Sequence, residues 1–225
     1  NFLKFLFDPY KIVFLLFFFK KIFFLYLLLI PNIISSILKA PLKKGRRFVA
    51  IVGPPASGKS TLAKELQRQI PSSCVVPMDG FHLSNEELKV LGLSERKGSA
   101  ETFDVDGLEL LLGKILNGGN IMFPTFDRSI DSVIPNGGMV NSEDHTILVE
   151  GNYLILNKVP WNRLSAYWDF SIMLKIPFEI LEKRLMERWI ANGFDANQAA
   201  LKAKNNDLPN AMVIENNSIK ADYCL

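Results

Sequence analysis

From residue 48 onward, short apolar runs alternate with stripes at helical spacing. Phe48 to Val52 is an unbroken apolar run closed by Gly53, after which Leu62, Leu66 and Ile70 repeat on one helical face. Val75-Val76, bounded by Pro77 and Gly80, reads as a short strand buried on both sides with Asp79 at its C-terminal tip. Leu108, Leu111, Leu112, Ile115 and Leu116 follow the i, i+3, i+4, i+7, i+8 pattern of an amphipathic helix, which Gly118-Gly119 stops. Residues 121–138 read as two short strands joined by a Pro135-Asn136-Gly137-Gly138 turn, and Ile147 to Val149 is a further strand ending in Glu150-Gly151. A helix is expected from Pro177 to Gly193, with Phe178, Leu181, Leu185 and Trp189 as its buried stripe, and residues 219–225 as a last strand. This is an α/β pattern, in which ligands bind at the C-terminal ends of the strands.

The first 47 residues do not share that pattern. Residues 11–30 are almost continuously apolar and about long enough to cross a bilayer, but Lys20 and Lys21 fall in their middle, where each would cost about 2.5–3.5 kcal/mol. Membrane contact through residues 12–38, an organelle-targeting leader and translated upstream sequence all stay open. The chain opens on Asn1 rather than Met, so a fragment or an imperfect gene reading is an expectation too. Charge separates the same two parts. Residues 1–47 hold nine Lys/Arg against the single Asp8, which leaves 17 basic and 22 acidic residues for 48–225 out of 26 and 23. The second part is mildly acidic and lacks the basic stripe of a nucleic-acid binder, so no nucleic acid is expected as partner. Two cysteines, Cys74 and Cys224, imply no disulfide framework and a reducing, cytoplasmic setting, with organelle or membrane attachment through the N-terminal part as the alternative. A homo-oligomer is open.

The chemistry concentrates after the first apolar run. Gly53-Pro54-Pro55-Ala56-Ser57-Gly58-Lys59-Ser60 matches G-x-x-x-x-G-K-[ST] between a strand and a helix, the context the motif requires. Such a loop turns backbone N–H groups toward phosphate oxygens at a positive helix end. This predicts ATP contacts from Gly53, Ala56, Ser57, Gly58, Lys59, Ser60 and Thr61, with Lys59 reaching the β- and γ-phosphates and the Ser60 hydroxyl on Mg²⁺. Glu150, at a strand end, is the expected second Mg²⁺ ligand, against an ordinary solvated strand-end acid. If the strands ending at Asp79 and Glu150 both neighbour the cradle strand, one acid is spare. Asp79 would then accept the proton of an incoming hydroxyl. Gly80 would let substrate approach the backbone, and His82 would offer a ring and a polar tip, or be a plain surface histidine.

The cradle, together with Met78-Asp79-Gly80-Phe81-His82, "KGSAETFD", "PTFDR", "VEGNYLIL" and "NDLPNA", resembles the phosphoribulokinase/uridine kinase/pantothenate kinase group of P-loop small-molecule kinases. The likeness runs from about Phe48 to the C-terminus, with the motifs in family order. It is nearest the branch holding bacterial fructose-uptake-linked kinases and a fungal uridine kinase-like protein. It implies a three-layer P-loop fold over residues 48–225, with a mostly parallel sheet, a central cradle strand, a small β insertion and a helical lid. It also implies an ATP-dependent, Mg²⁺-requiring kinase acting on a small-molecule alcohol. Asp79 matches the acid that activates the acceptor. Uridine kinases usually carry Asp-Ser-Phe-Tyr where this chain has Asp-Gly-Phe-His, which separates it from uridine itself.

The resemblance places Lys97, Glu101, Thr102 and Asp104 around the acceptor, although Asp104 suits a helix N-cap equally. Asp127 and Arg128 are expected as an acid–base pair that fixes a hydroxylated substrate, or as an ordinary surface pair. The Pro177–Gly193 helix becomes the lid, whose Arg184 and Arg188 approach the phosphates on closure, or form a solvated basic face. Asn206, Asp207 and Asn210 are expected to shape the nucleotide pocket. Other functions fit less well. A guanine-reading switch needs Asn-Lys-x-Asp, and Asn157-Lys158 continues as Val159-Pro160. A nucleotide-binding scaffold without an acceptor remains as the alternative.

Overall fold

The computed structural model describes residues 29–225. The apolar stretch over 12–28 therefore lies outside the described residues, and among these no helix is long and apolar enough to cross a membrane. The chain divides after Lys39. In the first unit, residues 29–39 are helical and bury Ile30, Ile33 and Ile37 at i, i+3, i+7.

The second unit, Ala40–Leu225, is built on a five-stranded parallel sheet in the order β2-β5-β1-β6-β7. Its strands are β1 (Arg47–Val52), β2 (Ser73–Pro77), β5 (Thr146–Gly151), β6 (Phe170–Met173) and β7 (Tyr223–Cys224). β1 is buried along its whole length because neighbours pair with it on both edges. Its side chains alternate across the sheet: Phe48, Ala50 and Val52 join a core with Leu108, Leu112 and Ile115, while Val49 and Ile51 point to the opposite face. The strand before Asp79 is not buried on both sides as expected. β2 pairs only with β5, so as an edge strand it alternates half-buried and buried positions. Arg46, just before β1, is buried. Its guanidinium donates to the carbonyls of Ile115, Gly119 and Asn141 at 2.6, 2.9 and 2.7 Å.

Helices flank the sheet. α1 (Lys59–Gln69) starts at Gly58, whose φ of 97° needs glycine, and buries Leu62, Ala63 and Leu66. The short α2 (Asn85–Val90) opens with a capping box between Ser84 and Glu87. α3 (Val105–Leu116) buries the predicted leucine stripe. α4 (Phe178–Ala191) buries Leu181 and Leu185 against Ala203, Leu208 and Ala211, with Trp189 half-buried. Phe178 departs from expectation: at the first helical position it lies off that cluster and is 43% exposed. α5 (Ala196–Lys202), a π-helical segment (Ala203–Asp207) and α6 (Leu208–Asn217) complete the helical C-terminal part.

The β insertion is an antiparallel hairpin of β3 (Ile121–Asp127) and β4 (Ser132–Val140). Its turn falls at 128–131, not at Pro135–Gly138. Those residues lie inside β4, where a Cβ on Gly137 would stand 1.9 Å from Thr125 Oγ1 and one on Gly138 2.3 Å from the Phe123 ring. These glycines make room for side chains of β3, and the pairing register shifts between Phe123 and Thr125.

Candidate active site

The cradle closes the C-terminal end of β1. A Cβ on Gly53 would meet Ser57 Oγ at 2.8 Å and the Leu174 carbonyl at 2.9 Å, so only glycine lets the loop fold back here. Ala56 takes a left-handed φ of 61°. The Ser57 hydroxyl is buried without a hydrogen-bond partner, while Thr61 is exposed at the start of α1. Lys59 is 8% exposed, and its ammonium donates to the Pro54 carbonyl at 3.0 Å. Burial depresses its pKa to about 8, against the pull of Glu150 and Asp79. A buried ammonium in the same loop as a buried hydroxyl, the first without an ion-pair carboxylate and the second without a hydrogen-bond partner among the described residues, is a donor set that fits a phosphate chain.

Glu150 ends β5, directly beside β1, and its Oε1 accepts the Ser60 hydroxyl at 2.9 Å. Burial raises its pKa above the usual carboxylate range, opposed mainly by Lys59. A hydroxyl and a carboxylate at this separation suit Mg²⁺, with phosphate and water oxygens filling the remaining positions. Among the described residues no cluster of three His, Cys, Asp or Glu could enclose a metal alone.

Asp79 sits in a single 3-10 turn, Met78–Phe81, just beyond β2. Of the two acid strands, only Glu150's neighbours the cradle strand; β2 lies on the far side of β5, so the two do not both flank β1 as expected. The ends converge nonetheless. Glu150, Asp79, Arg188 and Arg128 all act electrostatically on Lys59. Gly80 serves a different contact from the expected one: its Cβ would lie 2.0 Å from the Pro124 carbonyl, so it admits the β3 backbone rather than substrate.

Arg128 turns toward Asp79, its Nη2 donating to Oδ2 at 2.6 Å. The expected Asp127–Arg128 pair is not formed. Asp127 instead accepts the backbone N–H and hydroxyl of Ser129 at 2.8 and 2.6 Å. His82 places Nδ1 2.8 Å from the Asp79 carbonyl and its ring between Phe103 and Phe126, at 4.2 and 4.6 Å. Burial lowers its pKa, which keeps the imidazole neutral at pH 7. Glu101 pairs with Arg96 at 3.0 Å. Asp104 is the N-cap of α3, accepting the Gly107 N–H at 2.8 Å.

On α4, Arg188 is half-buried, its pKa lowered by burial and by Arg128 and raised by Asp207 and Asp79. Arg184, one turn earlier, is exposed. The π segment joins two sides of the site. The buried Asp207 accepts the Trp189 indole N–H at 2.6 Å, and Asn206 donates to the Lys97 carbonyl at 2.9 Å. Asn210 donates in turn to Asn206 Oδ1 at 3.2 Å. Sequence reasoning missed the triangle of Lys97, Asn85 and Asp131, because its members come from the start of α2 and two separate loops and no spacing joins them. It also missed the braces under the loop over residues 97–104, Tyr153 hydroxyl to Gly98 carbonyl at 2.8 Å and Trp161 indole to Ala100 carbonyl at 3.1 Å.

No family model matches the chain. Individual proteins do. An uncharacterised protein of Escherichia coli K12 is 33% identical over 183 residues, 79% of this chain and 76% of its own. A candidate uridine kinase of Schizosaccharomyces pombe is 32% identical over 195 residues, 80% and 83% of the two chains. The crystal structure of a candidate fructose transport system kinase from Silicibacter sp. TM1040 superposes with a TM-score of 0.82 at 39% identity, covering 87% of this chain and 98% of that one. With the cradle, the parallel sheet and these relatives in agreement, the chain belongs to the P-loop small-molecule kinase group of phosphoribulokinase, uridine kinase and pantothenate kinase.

Proposed function

We propose that the domain over residues 48–225 is an ATP-dependent kinase that transfers the γ-phosphoryl group to a hydroxyl of a small metabolite. The observation that carries this reading is the buried Lys59 ammonium, in no ion pair with any described residue, under the pull of two carboxylates of different surroundings, Glu150 bonded to Ser60 and Asp79 paired with Arg128. The cradle N–H groups, the Ser57 hydroxyl and Lys59 bind the triphosphate. Ser60 and Glu150 would hold Mg²⁺, which would supply charge neutralisation on the phosphates.

Asp79 acts on the acceptor. As the hydroxyl oxygen bonds to the γ-phosphorus, the bond from that phosphorus to the β–γ bridging oxygen breaks and ADP carries away the electron pair. The hydroxyl proton passes to the Asp79 carboxylate. Arg128 holds that carboxylate in place. Arg188 reaches in from α4, the lid helix, and offsets charge on the transferred group, with Arg184 following on closure. Asn206 and Asp207 set the rim of the nucleotide pocket through their bonds to the acceptor loop and to α4. His82, Glu101, Asp104 and Asp127 border the acceptor. Asp79→Asn tests the assignment: kcat should fall about 10²–10⁴-fold while Mg·ATP affinity stays within a few-fold. Unchanged turnover would remove Asp79 from the reaction.

A further inference from the structure

The cations of the site fall into two groups. Those of the nucleotide side, Lys59 and Arg188, form no ion pair with any described residue, as befits groups awaiting a polyanion. Those of the acceptor side are each already matched by a carboxylate: Arg128 by Asp79 at 2.6 Å, Lys97 by Asp131 at 2.7 Å, Arg96 by Glu101 at 3.0 Å. Lys97 is the most committed. Its ammonium has three hydrogens, and three acceptors surround it: Asn85 Oδ1 at 2.7 Å, Asp131 Oδ2 at 2.7 Å and the Asp131 carbonyl at 3.4 Å. The Asn85 amide closes the triangle on Asp131 Oδ2 at 3.0 Å. The ammonium also lies over the Phe126 ring, 5.3 Å from its centroid.

His82 supplies the contrasting feature. Its Nδ1 is engaged with the Asp79 carbonyl, so the N–H belongs on Nδ1 and Nε2 keeps a lone pair. Nε2 has no partner among the described residues, although the ring is held between Phe103 and Phe126. The acceptor side thus offers an open hydrogen-bond acceptor, aromatic faces and a base, while its three cations, Arg128, Lys97 and Arg96, are each offset by a carboxylate among the described residues.

We infer that the acceptor is an uncharged, multiply hydroxylated molecule, a sugar or nucleoside, and not a carboxylate or a phosphate ester. This rests on the kinase reading above. An anion placed here would face the Asp79 carboxylate, and the cations around it, although Arg128 and Arg96 keep further N–H donors, already have their charge offset by a carboxylate. A hydroxyl can donate to His82 Nε2 while a neighbouring hydroxyl donates to Asp79. Asp131, whose carboxylate commits Lys97, is the residue that sets this preference.

Binding distinguishes the classes without requiring transfer. The protein, loaded with Mg²⁺ and a non-hydrolysable ATP analogue, is titrated calorimetrically with matched pairs: ribose and ribose 5-phosphate, fructose and fructose 6-phosphate, glycerol and glycerate, uridine and uridine 5′-phosphate. A neutral member should bind at least tenfold tighter than its anionic partner. Asp131→Asn, which releases Lys97, should narrow that gap at least tenfold. An anionic member binding as tightly as its neutral partner, or no neutral member binding at all, would overturn the inference. ADP release with ATP is scored separately. A neutral molecule that binds but accepts no phosphoryl group would overturn the kinase reading and leave the acceptor class standing.

Discussion

Lys59 shows how one position can be legible in sequence while its energetics are not. Its place in the Gly53–Ser60 motif fixes the residue type, yet the 8% exposure and the bond to the Pro54 carbonyl come from how the chain folds around it. The depressed pKa has a signed consequence. With a folded value of about 8 and an ordinary value of 10.5, the folded protein loses this proton before the unfolded chain does. The burial penalty on stability is therefore fully present below pH 8 and is relieved as pH rises from about 8 to 10.5. Nucleotide binding runs the opposite way, because the triphosphate needs the charged form. The Kd for Mg·ATP should be flat below pH 8 and then rise up to about tenfold per pH unit. Titrations between pH 7 and 9.5 check this, and an unchanged Kd at pH 9.5 would contradict it. The Asp79–Arg128 contact was not legible: the sequence puts Arg128 beside Asp127, but the turn at 128–131 swings the guanidinium across to β2's end.

At the scale of elements, apolar periodicity located β1, β5, α1 and α3 because each has one dominant face or is buried throughout. It failed where glycines serve neighbours instead of turns. The pattern at Gly137 and Gly138 predicts a hairpin turn, but the two residues accommodate Thr125 and Phe123, a relation visible only once the strands are paired. Gly80 is the same kind of residue with a larger consequence, because β3 lies against the Met78–Phe81 turn that carries Asp79. Gly80→Ala should force the hairpin backbone away from that turn. We expect a loss of about 1–3 kcal/mol in urea unfolding, the usual cost of overpacking, together with reduced turnover. A variant of full stability and activity would show that the hairpin yields freely and does not position the base.

Across the whole molecule, the site depends on strand order more than on any single element. Sequence patterns supplied strands ending in Gly53, Asp79 and Glu150, but order β2-β5-β1-β6-β7 decides which ends meet, and local pattern does not encode it. The family resemblance did indicate a central cradle strand. It could not show that Glu150 stands between the cradle and Asp79, the placement that gives one acid to Ser60 and leaves the other to Arg128. The most direct test is a crystal structure with Mg²⁺, a non-hydrolysable ATP analogue and a bound acceptor. A reacting oxygen about 3–3.5 Å from the γ-phosphorus and about 2.6–3.2 Å from its base puts an Asp79 carboxylate oxygen within about 7 Å of that phosphorus. An Asp79 side chain turned to solvent, with the γ-phosphate beyond the reach of any hydroxyl it could bind, would contradict the account.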